Sequence, residues 1–171
     1  QIIPHVTDEI QRRMKILGDS GEFDIIITEL GGTVGDIESL PYVESVRQLK
    51  RKLGSDDSVV IHLTFVPYLK AAGELKTKPT QHSVQKLLEA GVQPDILVCR
   101  TEHKLSKEVR SKISLFCNVN QNAVIESIDA STIYEVPLLM EKEKLDKVVL
   151  AKLRLPSTSD ADLDSWKDFL F

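Results

Sequence analysis

The run D-I-I-I-T-E-L-G-G-T-V-G-D-I-E-S-L-P, Asp24 to Pro41, constrains the fold more than any other part of the sequence. The β-branched residues Ile25, Ile26, Ile27 and Thr28 read as a strand buried on both faces, as in a parallel sheet. Glu29 stands where such a strand ends, followed by Gly31, Gly32 and Gly35. Glycine there permits positive φ and close approach of a ligand to the backbone. Asp36 and Glu38 then open a helical period, Val43, Val46, Leu49 and Leu53. In open α/β sheets ligands sit at the carboxyl ends of the strands. An acid in that place can hold Mg²⁺ through one carboxylate while phosphates supply other ligands. A plain strand-to-helix turn has the same look, because carboxylates are favourable at helix N-termini. The spacing alone leaves both readings open.

A length of 171 residues suits one domain with a real core. The net charge of −4 argues against a nucleic-acid partner. No apolar run approaches the ~20 residues of a membrane helix, so no membrane partner is expected. Cys99 and Cys117 make no disulfide framework; they read as small core residues in a reducing, cytoplasmic protein. Q-I-I-P-H at the start reads as the tail of a strand whose partners lie upstream, in a longer polypeptide.

Further along, Thr7 reads as the cap of a helix bearing Ile10, Met14 and Leu17. Strands are expected at Val59 to Val66, Pro94 to Arg100 and Ala123 to Ile128. Between them lie helical periods, Val84 to Leu88 and then Val109, Ile113 and Phe116. This alternation implies βαβ units and a mainly parallel sheet. Val136-Pro137 is expected to break a helix, with short helices following around Leu145 to Val149 and Leu163 to Phe169. Pro156 to Asp162 reads as a linker.

The loop G-E-L-K-T-K-P-T-Q, Gly73 to Gln81, is the second chemical feature. On extended backbone Lys76 and Lys78 would face one anionic ligand, and Thr77, Thr80 and Gln81 add polar groups near a helix start. A solvated loop kept soluble by its charges has the same composition. His62 reads as a hydrogen-bonded core residue, and Lys112 as a surface residue of a helix. There is no H-x-x-x-H, no C-x-x-C and no G-x-S-x-G.

Together, E-L-G-G-T-V-G-D-I-E-S-L-P (Glu29 to Pro41) and G-E-L-K-T-K-P-T-Q-H-S-V (Gly73 to Val84) closely resemble the CTP synthase family. Q-P-D-I-L-V-C-R (Gln93 to Arg100), L-F-C-N-V (Leu115 to Val119) and I-I-P-H-V-T at the start strengthen the resemblance. It implies an α/β, doubly wound, mainly parallel fold like that of P-loop NTPases of the dethiobiotin-synthetase type. Residues 1–155 would be the later part of the amidoligase domain, and 156–171 a linker and short helix towards a glutaminase domain. The implied reaction is ATP-dependent amination of UTP to CTP, with ammonia from glutamine, in a homotetramer.

By the same resemblance Glu29 is an Mg²⁺ ligand, and Asp36, Ile37 and Glu38 contact UTP or inhibitory CTP. Lys76, Thr77, Lys78, Pro79, Thr80 and Gln81 grip the triphosphate across a subunit boundary, with Lys76 as the catalytic lysine. Lys112 is a further pyrimidine-nucleotide contact, and Ile128, Asp129 and Ala130 edge the ATP site. The departures are the lack of a G-x-x-x-x-G-K-[ST] loop and of a glutaminase nucleophile, so the chain alone is expected to be inactive. A dethiobiotin-synthetase-like ligase would ignore pyrimidines; a nucleotide-sensing module would bind them without turnover.

Overall fold

The computed structural model describes residues 1–170. Where length suggested one domain, the chain divides into two compact units, Gln1–Gly54 with Lys86–Gln93, and Ser55–Gln85 with the chain from Pro94 onward. No helix among the described residues is long and apolar enough to cross a membrane.

The first unit is built on helices α1 (Thr7–Asp19) and α2 (Leu40–Leu53). Their contact carries an unusual share of polar groups. Gln11 is buried, donates to Gln48 Oε1 at 2.8 Å and accepts from Lys52 Nζ at 2.7 Å. Each buried polar group thus has the partner it needs. Thr7 is not the expected cap: its hydroxyl donates to the Pro4 carbonyl at 3.0 Å, and it begins the helix itself. Residues Ile2–Val6 form a π-type turn rather than a strand.

The larger correction concerns Ile25 to Thr28. These residues adopt no strand, and Ile27 is 92% exposed. β-branched side chains favour extended backbone, but a strand exists only through a ladder partner, and none is present among the described residues. Gly54, with φ 86°, ends α2 as expected.

The second unit holds a three-stranded parallel sheet. β1 (Ile61–Val66) is followed by a short antiparallel hairpin, β2 (Tyr68–Leu69) with β3 (Glu74–Leu75), inside the expected lysine-rich loop. Then come α3 (Lys78–Glu89), of which the residues up to Gln85 belong to this unit, β4 (Ile96–Thr101), α4 (Lys107–Cys117) and β5 (Val124–Ile128). Helices α5 (Val136–Lys142), α6 (Leu145–Lys152) and α7 (Asp164–Leu170) complete it. The strand order is β1-β4-β5, with Leu63 opposite Val98 and Val98 opposite Ile125.

β4 is buried on both faces. Leu97 and Cys99 pack with Val84, Ile113 and Cys117 on one side. Ile96 and Val98 pack with Ile125, and Met140, Leu145 and Val148 close over them on the other. This is the doubly wound arrangement expected of the sequence. Strand β1 differs: His62, Thr64 and Val66 point inward, whereas Ile61, Leu63 and Phe65 stay exposed.

α4 is capped as its residues dictate. Ser106 Oγ accepts from Val109 N at 3.2 Å, and Asn118 closes the other end in the left-handed conformation. Its buried stripe is Ile113 and Cys117, whereas Phe116 is 60% exposed, one position off the expected register. Pro137 opens α5 instead of breaking a helix, because a proline in the first turn forfeits no hydrogen bond. Burial pushes the Cys99 thiol up and that of Cys117 to about 11, so both are inert core residues.

One half-buried ionic network ties the first turn of α4 to the sheet. Arg110 donates to Glu143 at 2.7 and 3.1 Å and to the Val124 carbonyl at 2.8 Å. Glu143 also accepts from Glu126 N at 2.9 Å. Burial by itself raises the Glu143 carboxyl, but the bonds from Arg110 and the Glu126 amide outweigh it and hold it below its ordinary range. A carboxyl lowered in the folded state stabilises above its unfolded pKa, and that stability fades as pH falls through the folded value. Urea unfolding between pH 7 and pH 3 should therefore show stability declining on acidification, and Glu143→Gln should flatten that decline.

Candidate functional site

In parallel sheets the strand carboxyl ends collect side chains from successive loops, and here three loops leave that edge. After β1, Lys76 N donates to the Pro67 carbonyl at 2.9 Å, which fixes the return from the hairpin. Lys76 Nζ pairs with Glu74. Lys112 of α4 also acts on Glu74, and the two cations, Lys76 foremost, hold that carboxyl below its usual range. Lys76 is thus paired with Glu74 and Lys112 acts on the same carboxylate at longer range, a relation that sequence spacing does not reveal.

Lys76 and Lys78 do not alternate on extended backbone. Lys78 is the first residue of α3, exposed, followed by Pro79 in the first turn. Helix geometry replaces the period of two that would have aimed both ammonium groups the same way. Thr77 is buried and its hydroxyl accepts from Gln81 Nε2 at 2.9 Å. Thr80 is fully buried, and its hydroxyl donates to the Phe65 carbonyl at 3.0 Å. Thr80 thus fastens the start of α3 to β1, while Thr77 braces the first turn of α3 through Gln81. His62 is the expected core histidine, its Nε2 2.8 Å from Ser83 Oγ, and burial pushes its pKa down so that the neutral ring is favoured.

The loops after β4 and β5 meet beside this segment. Asp129 N donates to the Thr101 carbonyl at 2.9 Å, and Arg100 Nε donates to Asp129 Oδ1 at 3.0 Å. Ile128 and Ala130 are half-buried on either side of the exposed Asp129. His103 stacks on Tyr68 with ring centroids 4.0 Å apart. Arg100, Tyr68 and His103 were not among the expected site residues; an arginine closing the apolar run of β4 was the available signal for the first.

Glu29 and Asp36 to Glu38 belong to the first unit. Glu29 is exposed on an irregular segment, and Gly32 and Gly35 adopt φ of 91° and 106°, which a side chain would oppose. The Asp36 carbonyl accepts from Ser39 N at 3.1 Å and from Ser39 Oγ at 2.8 Å, forming the tight turn into α2. That turn leaves Asp36, Ile37 and Glu38 exposed in sequence, with Ile37 80% accessible. No group of three His, Cys, Asp or Glu residues able to hold a metal exists among the described residues. A lone exposed carboxylate such as Glu29 still fits Mg²⁺, which keeps several waters and takes one or two protein carboxylates beside phosphates.

A parallel sheet covered on both faces, with cationic and acidic side chains at its carboxyl edge, is an α/β domain consistent with the P-loop-like synthetase class. Comparison with known families makes the assignment specific. The chain belongs to the CTP synthase family: the family model described as CTP synthase N-terminus matches residues 1–155. It is 66% identical over 170 residues to the CTP synthase of Cytophaga hutchinsonii, covering 99% of this chain and 32% of that relative. It is 65% identical to that of Christiangramia forsetii, with 99% and 31% covered, and 66% identical to that of Flavobacterium johnsoniae, with 99% and 32% covered. The chain therefore spans about a third of the length of these curated relatives.

The buried anchor of α3 and the exposed lysine of α4 are separable by mutation. Thr80→Val should cost about 1–3 kcal/mol, since it strips the Phe65 carbonyl of a donor inside the protein. Lys112→Ala should change stability by no more than about 0.5 kcal/mol, as for an exposed surface position. Denaturant midpoints of the two variants check this directly.

Proposed function

We propose that the full-length protein is a glutamine-dependent CTP synthase, a ligase that makes CTP from UTP, ATP and ammonia. The observation that carries this reading is the family match across residues 1–155, which includes the acidic turn and the lysine segment. In the reaction, the γ-phosphoryl group of ATP passes to the 4-oxygen of UTP, releasing ADP. Ammonia then attacks C4, phosphate leaves with that oxygen, and a proton is lost to give CTP.

Transfer of this kind needs positioning and charge neutralisation more than covalent help from the protein. Lys76 is the catalytic lysine in this reading, and with Lys78 and Lys112 it neutralises the pyrimidine triphosphate. Thr77, Pro79, Thr80 and Gln81 shape the backbone that presents those cations. Asp36, Ile37 and Glu38 contact UTP, and CTP when it inhibits. Ile128, Asp129 and Ala130 border the adenine of ATP, with Arg100 held against Asp129 beside them. Glu29 would hold Mg²⁺, which supplies charge neutralisation between the phosphates when bound.

In the same reading residues 1–155 are the later part of the amidoligase domain, and 156–171 lead towards a glutaminase domain of the same polypeptide. The working unit is a cytoplasmic homotetramer in which the Lys76–Gln81 segment reaches the nucleotide of a neighbouring subunit.

The test is ammonia-dependent CTP formation by the full-length protein. Glu29→Ala should lower turnover by roughly 100-fold or more with the fold intact. Glu38→Ala should keep turnover within a few-fold and mainly relieve inhibition by CTP. Wild-type kinetics in both variants would show the residue roles to be wrong; UTP binding without turnover in the unaltered protein would identify a sensor instead.

A further inference from the structure

The second unit contains a cavity of about 450 Å³ at the opposite end of the sheet from the carboxyl edge. Its floor is the start of β5, Val124 and Ile125, and its walls come from α4, α5 and α6. That size suits a small ligand. Among its lining residues are four cationic side chains, Arg110, Lys142, Lys144 and Lys147, and a single carboxylate, Glu143. The cluster is notable in a chain whose net charge is −4.

Glu143 makes no hydrogen bond to the lysines: both its oxygens are engaged by Arg110 and one also takes the Glu126 amide, so Lys142 acts on it only at longer range, as Asp146 and Glu141 act on Lys147. Lys142 and Lys144 are exposed, flanking Glu143 in sequence, and Asn122 adds an amide to the wall. Lys144 has φ 60°, a left-handed conformation that glycine adopts at less cost. The chain itself already supplies an anion here. Asp160 pairs with Lys147 and is also acted on by Lys144, yet its side chain is 76% exposed.

We propose that this cavity is a second anion site, which takes a compact polyanion such as a phosphorylated metabolite on Lys142, Lys144 and Lys147, with Asp160 as the intramolecular competitor. Ligand oxygens would replace the Asp160 carboxylate on Lys147 and engage the two exposed lysines, while Arg110, paired with Glu143 and Glu126, keeps the floor rigid. The site is separate from the lysine segment Lys76–Gln81 and does not depend on the nucleotide assignments made above.

Competition gives the test a sign in each direction. Inorganic tripolyphosphate is titrated calorimetrically into the full-length protein and its variants, with citrate in a parallel series to separate phosphoryl from carboxylate preference. Lys142→Gln combined with Lys144→Gly should weaken one class of sites at least tenfold; the glycine relieves the backbone, so the loss is not one of folding. Asp160→Asn should tighten the same class several-fold. Lys76→Ala should leave that class unchanged. Thermal melting without ligand confirms that each variant is folded. The proposal is overturned if tripolyphosphate does not bind, if all its binding vanishes in Lys76→Ala, or if Asp160→Asn and the lysine double variant bind as the unaltered protein does.

Discussion

Burial of β4 on both faces is the constraint on which the second unit rests. Ile96, Leu97, Val98 and Cys99 alternate between two apolar layers, so neither layer forms unless this strand lies between β1 and β5. A parallel strand in that position aims its carboxyl end, and those of its neighbours, at one edge. Lys76, Arg100 and Asp129 reach that edge only because of this register. Three loops of no particular local preference become one chemical surface as a result.

Polar bonds then set what the apolar layers leave free. Thr80 holds the start of α3 to the Phe65 carbonyl, and the Thr77–Gln81 pair tightens the turn before it. Arg110 and Glu143 do the same at the other end of the sheet, joining α4 to the region after α5. Breaking one member of such a pair leaves the other charge half-buried and uncompensated, which is why these contacts fix geometry more than they add stability. The exposed ion pairs, such as Arg12 with Glu9, have no comparable influence, since water screens them.

Much of this was legible in the sequence, and the failures have physical causes. Runs such as Ile96 to Cys99 are readable because burial on both faces demands continuous apolar residues. The α2 period and Gly54 were readable because helix faces and C-caps are local. Ile25 to Thr28 misled because strand formation depends on a partner, and composition says nothing about whether one is present. Phe116 misled because a single aromatic at helical spacing fits the core stripe or its border equally well; only packing against β4 assigns that stripe to Ile113 and Cys117. Glu29, Lys76 and Lys112 were singled out through family likeness, whereas the action of Lys112 on Glu74, the partner of Lys76, is tertiary.

The Glu74 pairing and the Asp160 pairing share a physical logic. An ammonium group placed at a cavity or strand edge attracts a counter-charge, and each protein carboxylate there sits on an irregular or hairpin segment rather than in the core. Such an exposed pair is weak, worth about 0–1 kcal/mol, so it orders the lysine without holding it against a stronger partner. A phosphate with several oxygens can contact more than one cation at once, which a lone carboxylate does less well. Preorganised lysines with a weak resident anion therefore favour a polyanion over a monoanion. At the Lys76 edge this agrees with the triphosphate proposed above; at the Lys144 cavity the same arithmetic applies, with Arg110 already satisfied and unable to compete for the ligand.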